Sequence, residues 1–344
     1  MLKSLIRRVS TVVVQQFCKL LVGGSNPSPG TIFRALKMGH DTLPIIPADR
    51  IQRTPEACFA NVSDFPYAPH YLEIGGLRIA YIDEGPRQAP PVLLMHGEPT
   101  WSYLYRKMIP PLLAAGHRVV VPDLVGFGRS DKPSRPSDYS YRHHVLWMNA
   151  WLEAMDLRNI TLFCQDWGSL IGLRMLTAAP DRFARVALAN GGLPTGAAGS
   201  VPSAFRIWRA FARWSPWFPI GRIVAAGCAT PLGPAEIAAY DAPFPTRRHR
   251  VAARMFPRFV PAEPDNPERE ANEAAWQVLE RWHKPFLTLF STRDPITRGG
   301  ERRFQSRVPG ASGQPHTAIR GAGHFLQEDK AAELAHRINA FIAA

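Results

Sequence analysis

The feature that most constrains this chain is a series of short, wholly apolar runs separated by helix-like segments. Val92–Met95, Val119–Val121, Ile160–Cys164 and Val186–Ala189 contain almost nothing polar. Tyr141–Met155, by contrast, carries Val145, Met148, Leu152 and Met155 on one helical face, and Trp167–Ala179 reads as a helix directly after Ile160–Cys164. A run that is apolar at every position belongs to a strand buried on both faces, and strands of that kind alternating with helices make a covered parallel sheet. A strand-turn-strand pattern from Tyr71, with Leu77–Asp83 as its second strand, precedes them. The rhythm breaks after residue 192. Residues 193–280 place Trp and Arg at helical spacing and add Pro-rich turns at Pro231–Pro234 and Pro243–Pro245. It resumes with Phe286–Phe290, Thr317–Ile319 and a closing helix over Glu328–Phe341. The expected organisation is an α/β core of residues 51–192 and 281–344 with a helical insertion at 193–280. Such an insertion lies over the C-terminal ends of the strands, where open α/β sheets bind ligands.

At 344 residues and 46% hydrophobic composition the chain can bury a large core, and disorder or a disulfide scaffold is excluded. No run of about 18 apolar residues is present to span a bilayer. The net charge of +13 is not concentrated in a recognition stripe. Residues 1–40 hold Lys3, Arg7, Arg8, Lys19, Arg34 and Lys37 with no acid, and the remaining excess is scattered, so nucleic-acid binding is not expected. Residues 1–50 read as a basic extension outside the fold. Two other readings compete, a transit-like peptide and a segment lying on a membrane surface; the loosely attached extension is favoured over both, and contact of residues 1–40 with a membrane is not expected. Cys18, Cys58, Cys164 and Cys228 form no CxxC, which fits buried free thiols in a reducing, cytoplasmic setting rather than a metal site.

The segment Cys164-Gln165-Asp166-Trp167-Gly168 runs from an apolar strand into a helix with one reactive residue at the turn. This is the layout of a nucleophile elbow, G-x-S-x-G, with Asp166 at the centre and Cys164 in place of the first Gly. Alone, Asp166 reads equally well as a helix N-cap. Two later strand ends decide the matter: Asp294 follows Phe286–Phe290, and His324 follows Thr317–Ile319. The order Asp166, Asp294, His324 is that of nucleophile, acid and histidine in the α/β-hydrolase arrangement. In that arrangement an oxyanion is held by the N–H after the nucleophile and by one from the loop after an early strand, here Trp167 and Glu98; Pro99 has no N–H to offer. The loop Asp123–Asp131, rich in glycine, reads as structural.

Through His96–Arg106, Asp123–Pro133 and Gln165–Gly168 the chain resembles the haloalkane dehalogenases of the α/β-hydrolase superfamily, and in particular the subfamily with an Asp-His-Asp triad and two halide-binding tryptophans. The resemblance runs from about Phe65 to the C-terminus; residues 1–50 lie outside it, and Cys164 departs from it. It implies the α/β-hydrolase fold, a mostly parallel central sheet with helices on both faces and a helical cap insertion. A carboxylate at the elbow also suits attack on an sp3 carbon. The implied course is displacement of halide by Asp166, then attack on the alkyl ester by water activated by His324. Asp294 orients the imidazole, and neither a metal nor an organic cofactor takes part. Some members carry the acid after the strand preceding the cap; here that strand ends Ala189-Asn190-Gly191-Gly192, without a carboxylate.

A leaving halide needs donors in an apolar site, and an indole N–H supplies one. Trp167 is the first candidate. Where other subfamilies have Asn after His-Gly this chain has Glu98, so the second donor is expected from the cap. Trp208 fits the position of the cap tryptophan, whereas Trp214 and Trp217 read as packing residues beside Pro216; Trp276 is a fourth cap indole. The alternative is an epoxide hydrolase with the same triad, but that activity calls for two cap tyrosines and residues 193–280 contain only Tyr240. A fluoroacetate-type enzyme would have Arg where Trp167 stands, a serine esterase would not have Asp166, and a degenerate receptor would not need a filled triad. The expected partners are therefore a small halogenated alkane, water and halide, acted on by a monomer.

Overall fold

The computed structural model of the chain describes residues 42–196 and 203–344. Its centre is an eight-stranded sheet built from β2 (His70–Ile74), β3 (Leu77–Glu84), β4 (Pro91–Met95), β5 (Arg118–Pro122), β7 (Ile160–Asp166), β8 (Phe183–Gly191), β9 (Phe286–Ser291) and β10 (Thr317–Ile319), in the order β10-β9-β8-β7-β4-β5-β3-β2. Every pair from β5 to β10 is parallel, while β2 and β3 add an antiparallel edge. Their hairpin turns on Gly75 and Gly76, both at positive φ (59° and 78°), where a Cβ would be strained. Two short strands, β1 (Ile51–Gln52) and β6 (Lys132–Pro133), pair with each other outside this sheet.

The apolar runs are explained by what lies on each side of the sheet. Leu93, Met95, Leu162 and Cys164 face one buried cluster with Trp147, Met148 and Ile171 of helices α2 (Tyr141–Ala154) and α3 (Trp167–Ala178). Val92, Leu94 and Phe163 face the other, with Leu112 of α1 (Ile109–Ala114) and Leu334 and Ile338 of the last helix, Leu326–Ala343. Alternate residues of one strand thus enter two cores, so none can be polar without loss of burial energy of about 1.5–3 kcal/mol for a full-sized apolar side chain. Helix α2 begins where Ser140 caps it, its hydroxyl accepting from the His143 N–H at 3.0 Å.

Between residues 203 and 279 five helices interrupt the alternation: α4 (Ser203–Trp214), α5 (Ile220–Gly227), α6 (Pro234–Asp241), α7 (Val251–Phe259) and α8 (Arg269–Leu279). After β9 come α9 (Glu301–Arg307) and the last helix, α10 (Leu326–Ala343), which bends at Lys330.

Several expectations need amendment. Trp214 and Trp217 are not packing residues: they are 71% and 60% exposed. Of the thiols, Cys164 is buried, Cys58 and Cys228 are only half-buried, and Cys18 lies outside the described residues. Residues 1–40 of the basic extension are also outside the described residues, whereas the stretch just before residue 51 packs on the body: Ile46 is buried and Trp147 donates its indole N–H to the Pro44 carbonyl at 3.3 Å.

Candidate active site

Asp166 ends β7 with φ 51° and ψ −129°, a conformation that non-glycine residues rarely adopt. Such strain persists where the surroundings enforce it. Here they do so by close approach. A Cβ on Gly168 would lie 2.1 Å from the Met95 carbonyl oxygen, and one on Gly97 would lie 2.2 Å from Asp166 Oδ1. The glycines on either side of the site thus let the end of β7 sit against the end of β4 and project the Asp166 carboxylate over the strand tips.

The carboxylate has two distinct neighbours. The Glu98 N–H donates to Asp166 Oδ1 at 2.7 Å, and His324 Nε2 stands 3.5 Å from Oδ2. The other expected donor, the Trp167 N–H, makes no hydrogen bond to this carboxylate; as the first N–H of α3 it lacks a helical acceptor. On the far side of the ring, His324 Nδ1 lies 3.0 Å from Asp294 Oδ2. Asp294 is almost wholly buried and accepts from the Ile296 N–H at 2.9 Å and from the Thr297 hydroxyl. Burial opposes its charge, but the imidazolium, the Thr297 hydroxyl and the Ile296 N–H outweigh burial and hold its pKa at about 2. For His324 burial likewise opposes the charged form, and Asp294 and Asp166 together raise its pKa to about 10. The three residues predicted from chain order are therefore assembled as one charge-coupled row.

Residues that chain order did not reveal hold that row. Asn190, fully buried at the end of β8, donates to the backbone carbonyls of Gly323 (3.0 Å) and His324 (2.9 Å) and accepts from the Ser291 N–H (2.8 Å). Gln165 donates to the His324 carbonyl at 3.2 Å. The His324 N–H in turn donates to the Gly227 carbonyl at 2.7 Å, so the end of α5 buttresses the histidine loop. His96 is structural: its Nε2 accepts from the Leu124 N–H at 3.0 Å, and burial keeps the ring neutral. Asp123 receives the Ser102 and Arg129 N–H groups, both at 2.8 Å, and so ties down the loop read as structural.

Above Asp166 opens a cavity of about 980 Å³ lined largely by apolar side chains, among them Trp167, Leu170, Phe205, Trp208 and Ile223. Trp167 is wedged edge-on against Tyr141 and Phe256. Trp208 is stacked with Phe211 and Phe218, and its indole stands near enough to the Glu98 carboxyl to favour that group's charged form slightly. Burial first, then the Asp166 charge, push the Glu98 pKa well above the ordinary carboxylate range. Trp276 also lines the cavity, but its indole N–H is taken by the Leu193 carbonyl at 2.8 Å. Tyr240, the single cap tyrosine, is buried away from the cavity and donates to Glu328. No tyrosine lines the cavity among the described residues.

Comparison with known proteins agrees with this geometry. The model of the alpha/beta hydrolase fold family matches residues 90–331. The chain is 54% identical over 293 residues to a haloalkane dehalogenase of Mycobacterium marinum, covering 84% of this chain and 98% of that one. It is 54% identical over 298 residues to a haloalkane dehalogenase of Psychrobacter cryohalolentis, covering 85% and 98%. Among solved structures it resembles the tetrameric haloalkane dehalogenase DpaA of Paraglaciecola agarilytica, with a TM-score of 0.77 and 35% identity over 83% of this chain and 97% of that one. The chain belongs to the haloalkane dehalogenases of the α/β-hydrolase fold.

Proposed function

We propose that the protein hydrolyses halogenated alkanes to an alcohol and halide through an ester on Asp166. The observation that carries this reading is a carboxylate, not a hydroxyl, held at the strained elbow beneath an apolar cavity with a histidine–aspartate pair behind it. The Asp166 oxygen not held by Glu98 attacks the carbon bearing the halogen, the carbon–halogen bond breaks, and halide departs with the bonding pair. His324 then takes a proton from water as the water oxygen bonds to the Asp166 carbonyl carbon. The oxyanion is received by the Glu98 and Trp167 N–H groups, and collapse releases the alcohol, restoring the carboxylate and leaving one proton in solution. Residues 193–280 serve as the cap over the core of 51–192 and 281–344. One chain supplies every one of these groups, so a monomer suffices, and half-buried free thiols favour a cytoplasmic setting.

Purified protein given 1-bromobutane and 1,2-epoxyhexane separately is expected to release bromide and to form no diol. Diol without bromide would favour the epoxide hydrolase, a reaction for which the cavity offers no tyrosine hydroxyl.

The Trp167 and Trp208 indoles are the proposed halide donors. Trp208→Phe keeps an aromatic ring in the stack while deleting one N–H. By analogy with loss of one oxyanion donor, turnover falls about 10²–10³-fold. Quenching of indole fluorescence by bromide weakens in parallel. Trp214→Phe and Trp217→Phe, both at exposed positions, leave both readouts unchanged. Bromide quenching that survives in Trp208→Phe and disappears in either control would reassign the cap donor.

A further inference from the structure

Four large apolar side chains are markedly exposed among the described residues, and three of them, Ile207, Trp214 and Trp217, lie on or just beyond one cap helix, α4. That helix has two unlike faces. Phe205, Trp208 and Phe211 point into the cavity over Asp166. Arg206, Ile207, Ala210, Arg213 and Trp214, spaced at three and four residues, are all exposed on the other side. Cationic groups crowd this outer face. The Arg213 guanidinium lies over the Trp214 ring at 4.5 Å, and Arg222 lies over Trp217 at 5.8 Å. Arg254 donates to the Ala212 and Ser215 carbonyls at the end of α4, and its pKa is lowered by burial and then by the nearby charges of Arg247 and Arg250. No acidic residue occurs between Asp181 and Glu236. Among the described residues, Arg209 is the one α4 arginine in an ion pair, with Glu263.

Exposed indoles each covered by a guanidinium, on an amphipathic helix with no negative charge, suit one environment: the headgroup layer of an anionic bilayer. There the arginines meet lipid phosphates, and Ile207, Trp214 and Trp217 leave water without needing a protein partner. We propose that the outer face of α4 and the Trp217 turn dock the cap on an anionic lipid surface. Resting on the dehalogenase reading, this places the cavity wall formed by the same helix at the phase in which apolar haloalkanes concentrate. Among the described residues no helix is long and apolar enough to cross a membrane, and none is required.

The test is co-flotation of the full-length protein with vesicles of phosphatidylcholine alone and of phosphatidylcholine with phosphatidylglycerol in equal parts. Binding is expected only to the anionic vesicles and is lost as salt rises. The combined variant Ile207→Ser, Trp214→Ser, Trp217→Ser is expected to bind at least tenfold more weakly, while its bromide release from dissolved 1-bromobutane in lipid-free buffer is unchanged. Replacing Arg206, Arg213 and Arg222 by Gln should weaken binding about fivefold for each guanidinium removed. The proposal is overturned if the wild-type chain does not float, if neutral vesicles bind equally well, or if the combined variant floats as well as wild type, which would shift binding to residues 1–40. It is also overturned if the three apolar residues instead drive self-association in the absence of lipid. Lipid binding is read without turnover, so failure of the dehalogenase reading and failure of the docking surface are distinguishable.

Discussion

His324→Phe should release about one halide per enzyme molecule and then stop, leaving an alkyl group on the peptide that contains Asp166. The reason lies in how the two steps use the site. Attack on carbon needs only an ionised carboxylate, and Asp166 is held ready by the Glu98 N–H without help from the imidazole. Hydrolysis of the ester needs a base, and His324 Nε2 stands 3.5 Å from Asp166 Oδ2. In the free enzyme the two flanking carboxylates hold His324 protonated, its pKa near 10. Esterification of Asp166 removes one of those charges, so the pKa of His324 falls when a base is required and rises again when the ester is cleaved. The pH dependence of ester hydrolysis should therefore report a lower pKa than titration of His324 in the free enzyme. A quench-flow burst of halide, with the adduct mass found by spectrometry, checks the first claim. Sustained turnover in His324→Phe, or no burst with a reactive bromoalkane, contradicts the assignment.

The parts of this site that were legible in the sequence share a physical origin. Apolar runs end abruptly where strands emerge from between two helical layers, and a polar residue at such an end must face either solvent or a functional cavity. Asp166, Asp294 and His324 each stand just past such a run, so order and position identified them together. Asn190 obeys the same rule at the end of β8, but a carboxamide there carries no signature of its own. Its work is to clamp the backbone of residues 323 and 324, a contact 134 residues away in sequence at the farther point. Thr297 and Gln165 carry no signature in the sequence because their value lies in tertiary bonds, to the acid for Thr297 and to the ring and carbonyl of His324 for Gln165. The cap indoles were harder still. Trp208, Trp214 and Trp276 have the same chemistry, and their fates differ only through tertiary placement: one lines the cavity in an aromatic stack, one is exposed, one is satisfied by the Leu193 carbonyl. Helical spacing alone did not separate inner from outer face, which is why Trp214 and Trp217 read as packing.

Asp294→Asn should lower steady turnover about 10⁴-fold, more than loss of charge alone would suggest, because it selects the wrong tautomer. In the native site Asp294 Oδ1 is fixed by the Ile296 N–H at 2.9 Å, so the amide oxygen of an Asn at this position keeps that bond. The amide nitrogen then takes the place of Oδ2, facing the Thr297 hydroxyl and His324 Nδ1. As an N–H donor it compels Nδ1 to accept. The ring proton moves to Nε2, the atom that must be bare to take a proton from water. The imidazolium that forms during hydrolysis also loses its buried counter-charge. Asn190 cannot substitute, since its side chain is engaged with backbone and carries no charge. Halide release in a single turnover should persist in Asp294→Asn, so the alkyl-enzyme accumulates as it does in His324→Phe. That persistence separates a defect of the base from a collapsed site. Near-normal steady turnover in Asp294→Asn would remove Asp294 from its role, and a variant that neither bursts nor turns over would point to structural loss.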